Sequence, residues 1–389
     1  MVVWGEAPGL LAGLLLLFLL LLARSSATML ESRNSPSPFT TITTSGLSSG
    51  AFAAVQLHVA FSSRVAGAGV IAGGPFFCAQ DNLPTALSAC MKTPALISVP
   101  ELVQITRNTQ LTGTIDATRN LAGSRVFVFS GLNDTVVVQG VGEKLVEYYE
   151  SFHANVSKEF RVEAEHAMPL GPGSWDGAGA NCLFLGSPYM NRCGYDGAAA
   201  LLDVVVGGVP RPAGGVLGQR GGAGAGARGG GGGGGGGRSN PTSSNLRTFD
   251  QLKFLPVLAR PDPASIGMGD HGFLYVPPKC EVAGAKCHLH VAFHGCLQSV
   301  DEVGMDFADH AGYNECRDDL VVLYPQARKA PLLGNPKGCW DWWGYTGTAY
   351  ASQIGTQPAS VWRMVEAAER AQASGDWESE FGGETLRGK

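Results

Sequence analysis

Three residues in the first half of this 389-residue chain have types and an order suited to nucleophilic chemistry. Ser48 lies in residues 43–52, TTSGLSSGAF, in the pattern G-x-S-x-G. A serine hydroxyl is a weak nucleophile until a base takes its proton and an acid orients that base. In a chain with 55 glycines the bare pattern proves little, so its neighbours must carry the case. A nucleophile elbow needs a strand before the serine, a helix after it, and small flanking residues in a strained turn. The β-prone residues 40–44, the helix pattern over 49–61, and Gly46, Gly50, Ala51, Ala53 and Ala54 meet those demands. The start of a helix also favours negative charge beside Ser48.

An acid and a base follow in the order Ser, Asp, His that α/β-hydrolase sites use. Asp134 stands four residues past the apolar run VFVFS (126–130), where a strand would deliver a carboxylate to its carboxyl edge. His166, in AEHAMP, follows a helical pattern and a strand-like stretch over 160–164. His153 is the alternative base, at the polar end of the helical pattern over 141–152. Any one of these is an ordinary loop residue by itself; the ordered set gives them weight. For the oxyanion, this architecture uses the amide after the nucleophile, here Ser49, and a second amide from a loop after another strand, often marked His-Gly. His294-Gly295-Cys296 ends the strand pattern LHVAF (289–293), yet it follows the serine where the usual order would put it before. A circular permutation resolves this, because backbone geometry and not chain order makes such a site.

The elements that must position these groups are of α/β type. Residues 126–130, 289–293 and 320–324 (LVVLY) read as short strands buried on both faces, with helical spacing over 141–152 and around 303–314. Strands alternating with helices predict a mainly parallel sheet flanked by helices, in one domain.

Composition narrows the setting. Residues 10–22 form an uncharged apolar run followed by small residues up to Ala27, which reads as a signal peptide over 1–27. At about thirteen residues the run is short for a membrane span of about twenty, so a secreted, extracellular chain with no membrane association after cleavage is expected; Glu6 and the lack of Lys or Arg before the apolar core leave an uncleaved anchor as the alternative. Nine cysteines suit an oxidising compartment, with one left over. A net charge of −5 with scattered basic residues offers no footprint for nucleic acid. Residues 207–240, with nine consecutive glycines from 229 to 237, read as a flexible insert. It divides the catalytic domain into halves over 28–206 and 241–365, and 366–389 reads as a polar tail, with disorder expected over its last stretch, 373–389. No C-x-x-C pair occurs, so no metal is expected, and serine chemistry needs no cofactor.

Seven blocks together resemble the secreted poly(3-hydroxybutyrate) depolymerases with a single, circularly permuted α/β-hydrolase domain. They are TSGLSSGAFAAVQLHVAFSS, GLNDTVV, SPYMNRCGYDGAAALL, GFLYVPPKC, CHLHVAFHGCLQS, GYNECRDDLVVLYPQA and NPKGCWDWWGYTG. They occur in the family's order and span nearly all of 39–360 outside the insert. The resemblance implies Ser48 as nucleophile, Asp134 as orienting acid, His166 as base, and the amides of Ser49 and Cys296 as the oxyanion hole. It implies a water-insoluble polyester or its oligomers as substrate, and a monomer is expected. Two features depart from the family: Cys316 stands where an aromatic usually follows YNE, and the insert is longer.

The preferred disulfide framework pairs Cys78 with Cys90, Cys182 with Cys193, Cys280 with Cys287 and Cys296 with Cys339, leaving Cys316; nine cysteines permit many other connectivities. Trp340, Trp342 and Trp343, with Tyr345, crowd one glycine-flanked stretch. Such clusters more often pack in a core, but this loop-like setting favours at least one ring facing substrate. Sequons at Asn133 and Asn155 make Asn155 the candidate glycosylation site, since a glycan on Asn133 would crowd Asp134. Two other readings remain: a secreted carboxylesterase on small or feruloyl-type esters, and a catalytically inactive binding protein on the same scaffold.

Overall fold

The computed structural model describes residues 37–207, apart from Ser174, Asp176, Ala178 and Ala180, and residues 245–382. The expected signal peptide, all but the first residue of the glycine-rich insert, and residues 383–389 lie outside the described residues. No helix among the described residues is long and apolar enough to cross a membrane.

The chain enters the sheet with β1 (Ile42–Leu47), β2 (Val65–Ile71), β3 (Arg125–Phe129) and β4 (Asn155–Glu159). Two short parallel strands, β5 (Met168–Leu170) and β6 (Met190–Arg192), form a separate pair. After the insert come β7 (Leu246–Asp250), β8 (His271–Tyr275), β9 (His288–Phe293) and β10 (Leu320–Tyr324). The main sheet has the order β4-β3-β2-β1-β9-β10-β8-β7. Strands from β4 through β10 are parallel, and β8 runs antiparallel to both β10 and β7. Direct pairing of β1 with β9 puts the two halves of the chain in one sheet.

β3, β9 and β10 are buried almost throughout, which is why their apolar runs show no alternation. β1 is as deeply buried although it carries Thr43, Thr44 and Ser45. Burial of hydroxyls costs free energy unless they are paired, and β9 pairs them. Thr43 Oγ1 is 2.8 Å from His290 Nδ1, Thr44 Oγ1 donates to Val291 O, and Ser45 Oγ lies 2.7 Å from His290 Nε2 and 2.8 Å from Tyr313 Oη. These bonds tie one register of β1 on β9.

Helix α1 (Ser49–Ala60) is buried at every residue and packs on β1, β2 and β9. Its small residues permit that approach: a Cβ at Gly50 would lie 2.4 Å from Phe293 O and 2.3 Å from His294 O. Helices α2 (Val99–Leu111) and α3 (Gln139–Glu150) pack on each other, with α3 against β3 and β4. α4 (Thr356–Ser374) stacks Trp362 on Phe61 at 4.2 Å, next to the end of α1.

Three expectations change. The strand-like stretch over 160–164 is irregular, and the strand is β4, just before it; β4 pairs only with β3 at the sheet edge, so its polar residues carry no apolar signal. The helix expected around 303–314 breaks into Val300–Val303 and Asp306–His310, with Gly304 at φ +60° between them. Residues 366–382 of the expected polar tail are ordered: α4 continues to Ser374 and α5 (Trp377–Phe381) follows. Phe381 packs against Phe249 and Phe254, and this apolar contact outweighs the charged residues around it.

Candidate active site

The strands end together. Leu47 pairs with Ile71, Ile71 with Phe129, and Phe129 with Glu159, so the turns after β1, β3 and β4 leave one edge of the sheet. Ser48 occupies the first of these turns at φ 57°, ψ −122°, between β1 and α1. Such a backbone is sparsely populated for any residue but glycine and costs about 1–3 kcal/mol. It is held by the Ser48 amide donating to Ile71 O at 3.0 Å and by Ser48 O accepting from the amides of Ala51 and Phe52. Gly46 is required beneath the turn, since a Cβ there would meet Gly50 at 2.3 Å. Ser48 is partly exposed, and its hydroxyl makes no hydrogen bond among the described residues; in unliganded sites that bond commonly tightens only on binding.

Asp134 follows β3 and His166 follows β4. The two loops run side by side, with the Leu132 amide donating to Val162 O and the Asn133 amide to Ala164 O. At their tips His166 Nδ1 donates to Asp134, 2.8 Å to Oδ2 and 3.1 Å to Oδ1. The amides of Val136 and Val137 also donate to Asp134 Oδ1, both at 2.8 Å. Both side chains are buried, Asp134 at 6% and His166 at 5% exposure. This pairing fixes the tautomer with the proton on Nδ1 and leaves Nε2 as an acceptor. His153, the alternative base, is exposed past the end of α3, and no side-chain partner joins it to this group.

From the other side comes the loop after β9. A Cβ on Gly295 would lie 3.3 Å from Leu47 O and 3.4 Å from Ser48 Cβ, so this loop rests on the serine turn. The amides of Ser49 and Cys296 donate to no acceptor among the described residues. The amide of Gly295, by contrast, is taken by Gln298 Oε1 at 2.7 Å. His294 braces the loop: its Nε2 accepts from the Ala327 amide at 3.0 Å, so Nδ1 carries the proton and donates to Gly295 O at 2.7 Å. Complete burial pushes its pKa down to about 4, which keeps it neutral.

The cysteines pair as expected, with four disulfides and Cys316 free. Burial pushes the Cys316 thiol well above its ordinary pKa, and Sγ donates to Gly312 O. Cys296–Cys339 ties the loop after β9 to the tryptophan segment, where the Trp340 amide donates to Ser49 Oγ at 3.3 Å. The three tryptophans differ. Trp340 is 1% exposed, edge-on to Phe293, and Trp342 is 6% exposed, stacked on Phe52 at 4.1 Å. Both rings are therefore core packing, and the expectation of substrate contact passes to the half-buried Trp343. Asn155 is exposed at the start of β4, and its side chain donates to Gly123 O.

Two supporting residues escape a reading of the sequence. Gln298, buried, accepts from Gly295 and donates through Nε2 to Pro188 O and Tyr189 O. Asp341, inside WDWW, accepts from the amides of Trp343, Gly344, Tyr345 and Thr346 and from the Thr346 hydroxyl. Burial raises its pKa and those donors oppose the rise. A polar residue inside an aromatic run was the available signal for Asp341, because burial obliges it to be paired; Gln298 carried none.

No family model matches the chain. It is 38% identical over 335 residues to a poly(3-hydroxybutyrate) depolymerase of Delftia acidovorans, covering 84% of this chain but 59% of that protein's length. It is 33% identical over 343 residues to a polyhydroxybutyrate depolymerase of Talaromyces funiculosus, covering 84% of this chain and 88% of that protein. A crystal structure of PHB depolymerase from Penicillium funiculosum superposes with a TM-score of 0.67 at 28% identity, covering 86% of this chain and 96% of that one. A serine-to-alanine variant of a PHB depolymerase complexed with an R3HB trimer matches equally well. The fold is that of the α/β-hydrolases.

Proposed function

Given that the chain belongs to the polyhydroxybutyrate depolymerases, we propose that it hydrolyses the ester bonds of poly(3-hydroxybutyrate) or related short-chain polyhydroxyalkanoates through an acyl-enzyme on Ser48. The observation that carries this reading is the buried His166–Asp134 hydrogen bond at the same strand edge as the strained Ser48 turn. Ser48 Oγ attacks the ester carbonyl, and its proton passes to His166 Nε2 while Asp134 steadies the imidazolium. The developing oxyanion accepts from the amides of Ser49 and Cys296, which donate to no acceptor among the described residues. His166 returns the proton to the departing alkoxide oxygen. Water, deprotonated by the same imidazole, then releases the acid and restores Ser48.

Four disulfides support an oxidising compartment and so export, with residues 1–27 as the signal peptide. β1, the first strand in the chain, lies mid-sheet beside β9, which supports a circular permutation joined through the insert. The protein acts as a monomer. Trp343 contributes an apolar face to the polyester repeat, and Asn155 takes the glycan if the host glycosylates.

Incubation of the secreted protein with a poly(3-hydroxybutyrate) film, p-nitrophenyl butyrate and a feruloyl ester tests the reading. The film should clear with release of hydroxybutyrate oligomers, and a Ser48→Ala variant should clear nothing. Rapid turnover of either soluble ester with an intact film would transfer the protein to the small-ester carboxylesterases.

A further inference from the structure

Glu165 takes no part in the chemistry above, yet its carboxylate sits where the loops of the acid and the base meet. It is 8% exposed. Oε1 accepts from the Thr135 amide at 2.6 Å and from the His166 amide at 2.8 Å, and Oε2 accepts from the Thr135 hydroxyl at 2.8 Å. Thr135 directly follows Asp134, so one carboxylate ties the residue after the acid to the base itself. The opposite side of Thr135 is held by Lys92, whose Nζ donates to Thr135 O. Burying a carboxylate is costly unless donors converge on it, and three do.

The same two loops are otherwise joined by Leu132–Val162 and Asn133–Ala164. Both bonds precede the reacting residues along their loops. At the tips, the direct ties between the two loops among the described residues are the Asp134–His166 bond and the Glu165 carboxylate. An imidazole displaced by about 1 Å from its working position can cost about 100-fold in rate. We infer that Glu165 is a positioning residue for ester hydrolysis, a clamp that sets the separation of the Asp134 and His166 loops without touching substrate. The inference rests on the assignment of Asp134 and His166 as acid and base.

Steady-state kinetics of the full-length protein on p-nitrophenyl butyrate, with thermal melting alongside, test it. Glu165→Ala should lower kcat by about 100-fold and leave KM within a few-fold, because binding of a small ester does not use the clamp. Glu165→Gln keeps an oxygen facing both backbone amides, and the Thr135 hydroxyl can turn to accept from the new amide nitrogen, so it should recover most of kcat. Thr135→Val removes one of the three bonds and should fall between them at a nearly native melting temperature. It also decides the matter if Glu165→Ala does not fold: reduced kcat in a stable Thr135→Val supports the clamp, and wild-type kcat overturns it. A folded Glu165→Ala with kcat within a few-fold of wild type, or a Glu165→Gln as impaired as the alanine variant, also overturns it. Ser48→Ala, measured in parallel, separates the two levels. A dead Ser48→Ala beside an undiminished Glu165→Ala removes the clamp alone, and an active Ser48→Ala removes the catalytic assignment.

Discussion

On one side of Ser48 the loops after β3 and β4 are held by carboxylates, Asp134 on the imidazole and Glu165 on the backbone. On the other, the loop after β9 is held by the Cys296–Cys339 disulfide, the neutral amide of Gln298 and the neutral imidazole of His294. The difference follows from what each side must deliver. A reacting imidazole needs a defined tautomer, a defined ring angle and compensation for the charge it gains, and an anionic acceptor supplies all three. A peptide N–H needs only its plane fixed, which a covalent tie and neutral braces achieve without burying charge. On this account loss of Asp134 is a failure of chemistry, whereas loss of the ties on the oxyanion side, like loss of the Glu165 clamp, is a failure of position.

Asp134→Asn should therefore be the most damaging of the supporting substitutions, with kcat lower by about 10⁴-fold through the wrong tautomer. Folding should survive, because an asparagine oxygen still accepts from the Val136 and Val137 amides. Near-normal turnover on p-nitrophenyl butyrate would remove the acid–base corner from the comparison. Joint replacement of Cys296 and Cys339 by alanine should cost about 2–4 kcal/mol of stability and, below the lowered melting temperature, about 100-fold in kcat as one oxyanion donor loses its place. Joint replacement of Cys280 and Cys287, away from the serine turn, should show the loss of stability with kcat unchanged. Equal kinetics in the two double variants would show that the disulfide beside the serine serves stability alone. The smallest effect belongs to Trp343→Ala. Loss of one aromatic face should slow film hydrolysis by about tenfold and leave p-nitrophenyl butyrate turnover nearly intact; equal loss on both substrates would make Trp343 packing like Trp340 and Trp342.

Much of the framework was legible because its signals are local. VFVF, LHVAF and LVVLY read as strands since burial on both faces removes alternation, and the serine turn needs glycines and alanines within a few residues of it. The pairing of Asp134 with His166 was foreseeable because both stand in loops after strands, although the strand before His166 is β4 and not the 160–164 stretch. What stayed hidden depends on partners distant in sequence. β4 is polar because it lies at the sheet edge, Trp342 is core because Phe52 stacks on it, and α5 is ordered because Phe249 and Phe254 receive Phe381. Gln298 and Glu165 resemble any polar loop residue until the carbonyls and amides that they serve are brought beside them.

Every step proposed for this site depends on Ser48 being the nucleophile activated by His166 and Asp134. Fluorophosphonate labelling followed by intact mass and peptide mapping reads that dependence. One adduct should form, on the peptide carrying Ser48. It should be absent from a Ser48→Ala protein of unchanged melting temperature and form far more slowly on His166→Ala. An adduct on another residue, or labelling of Ser48→Ala at the wild-type rate, would contradict the account.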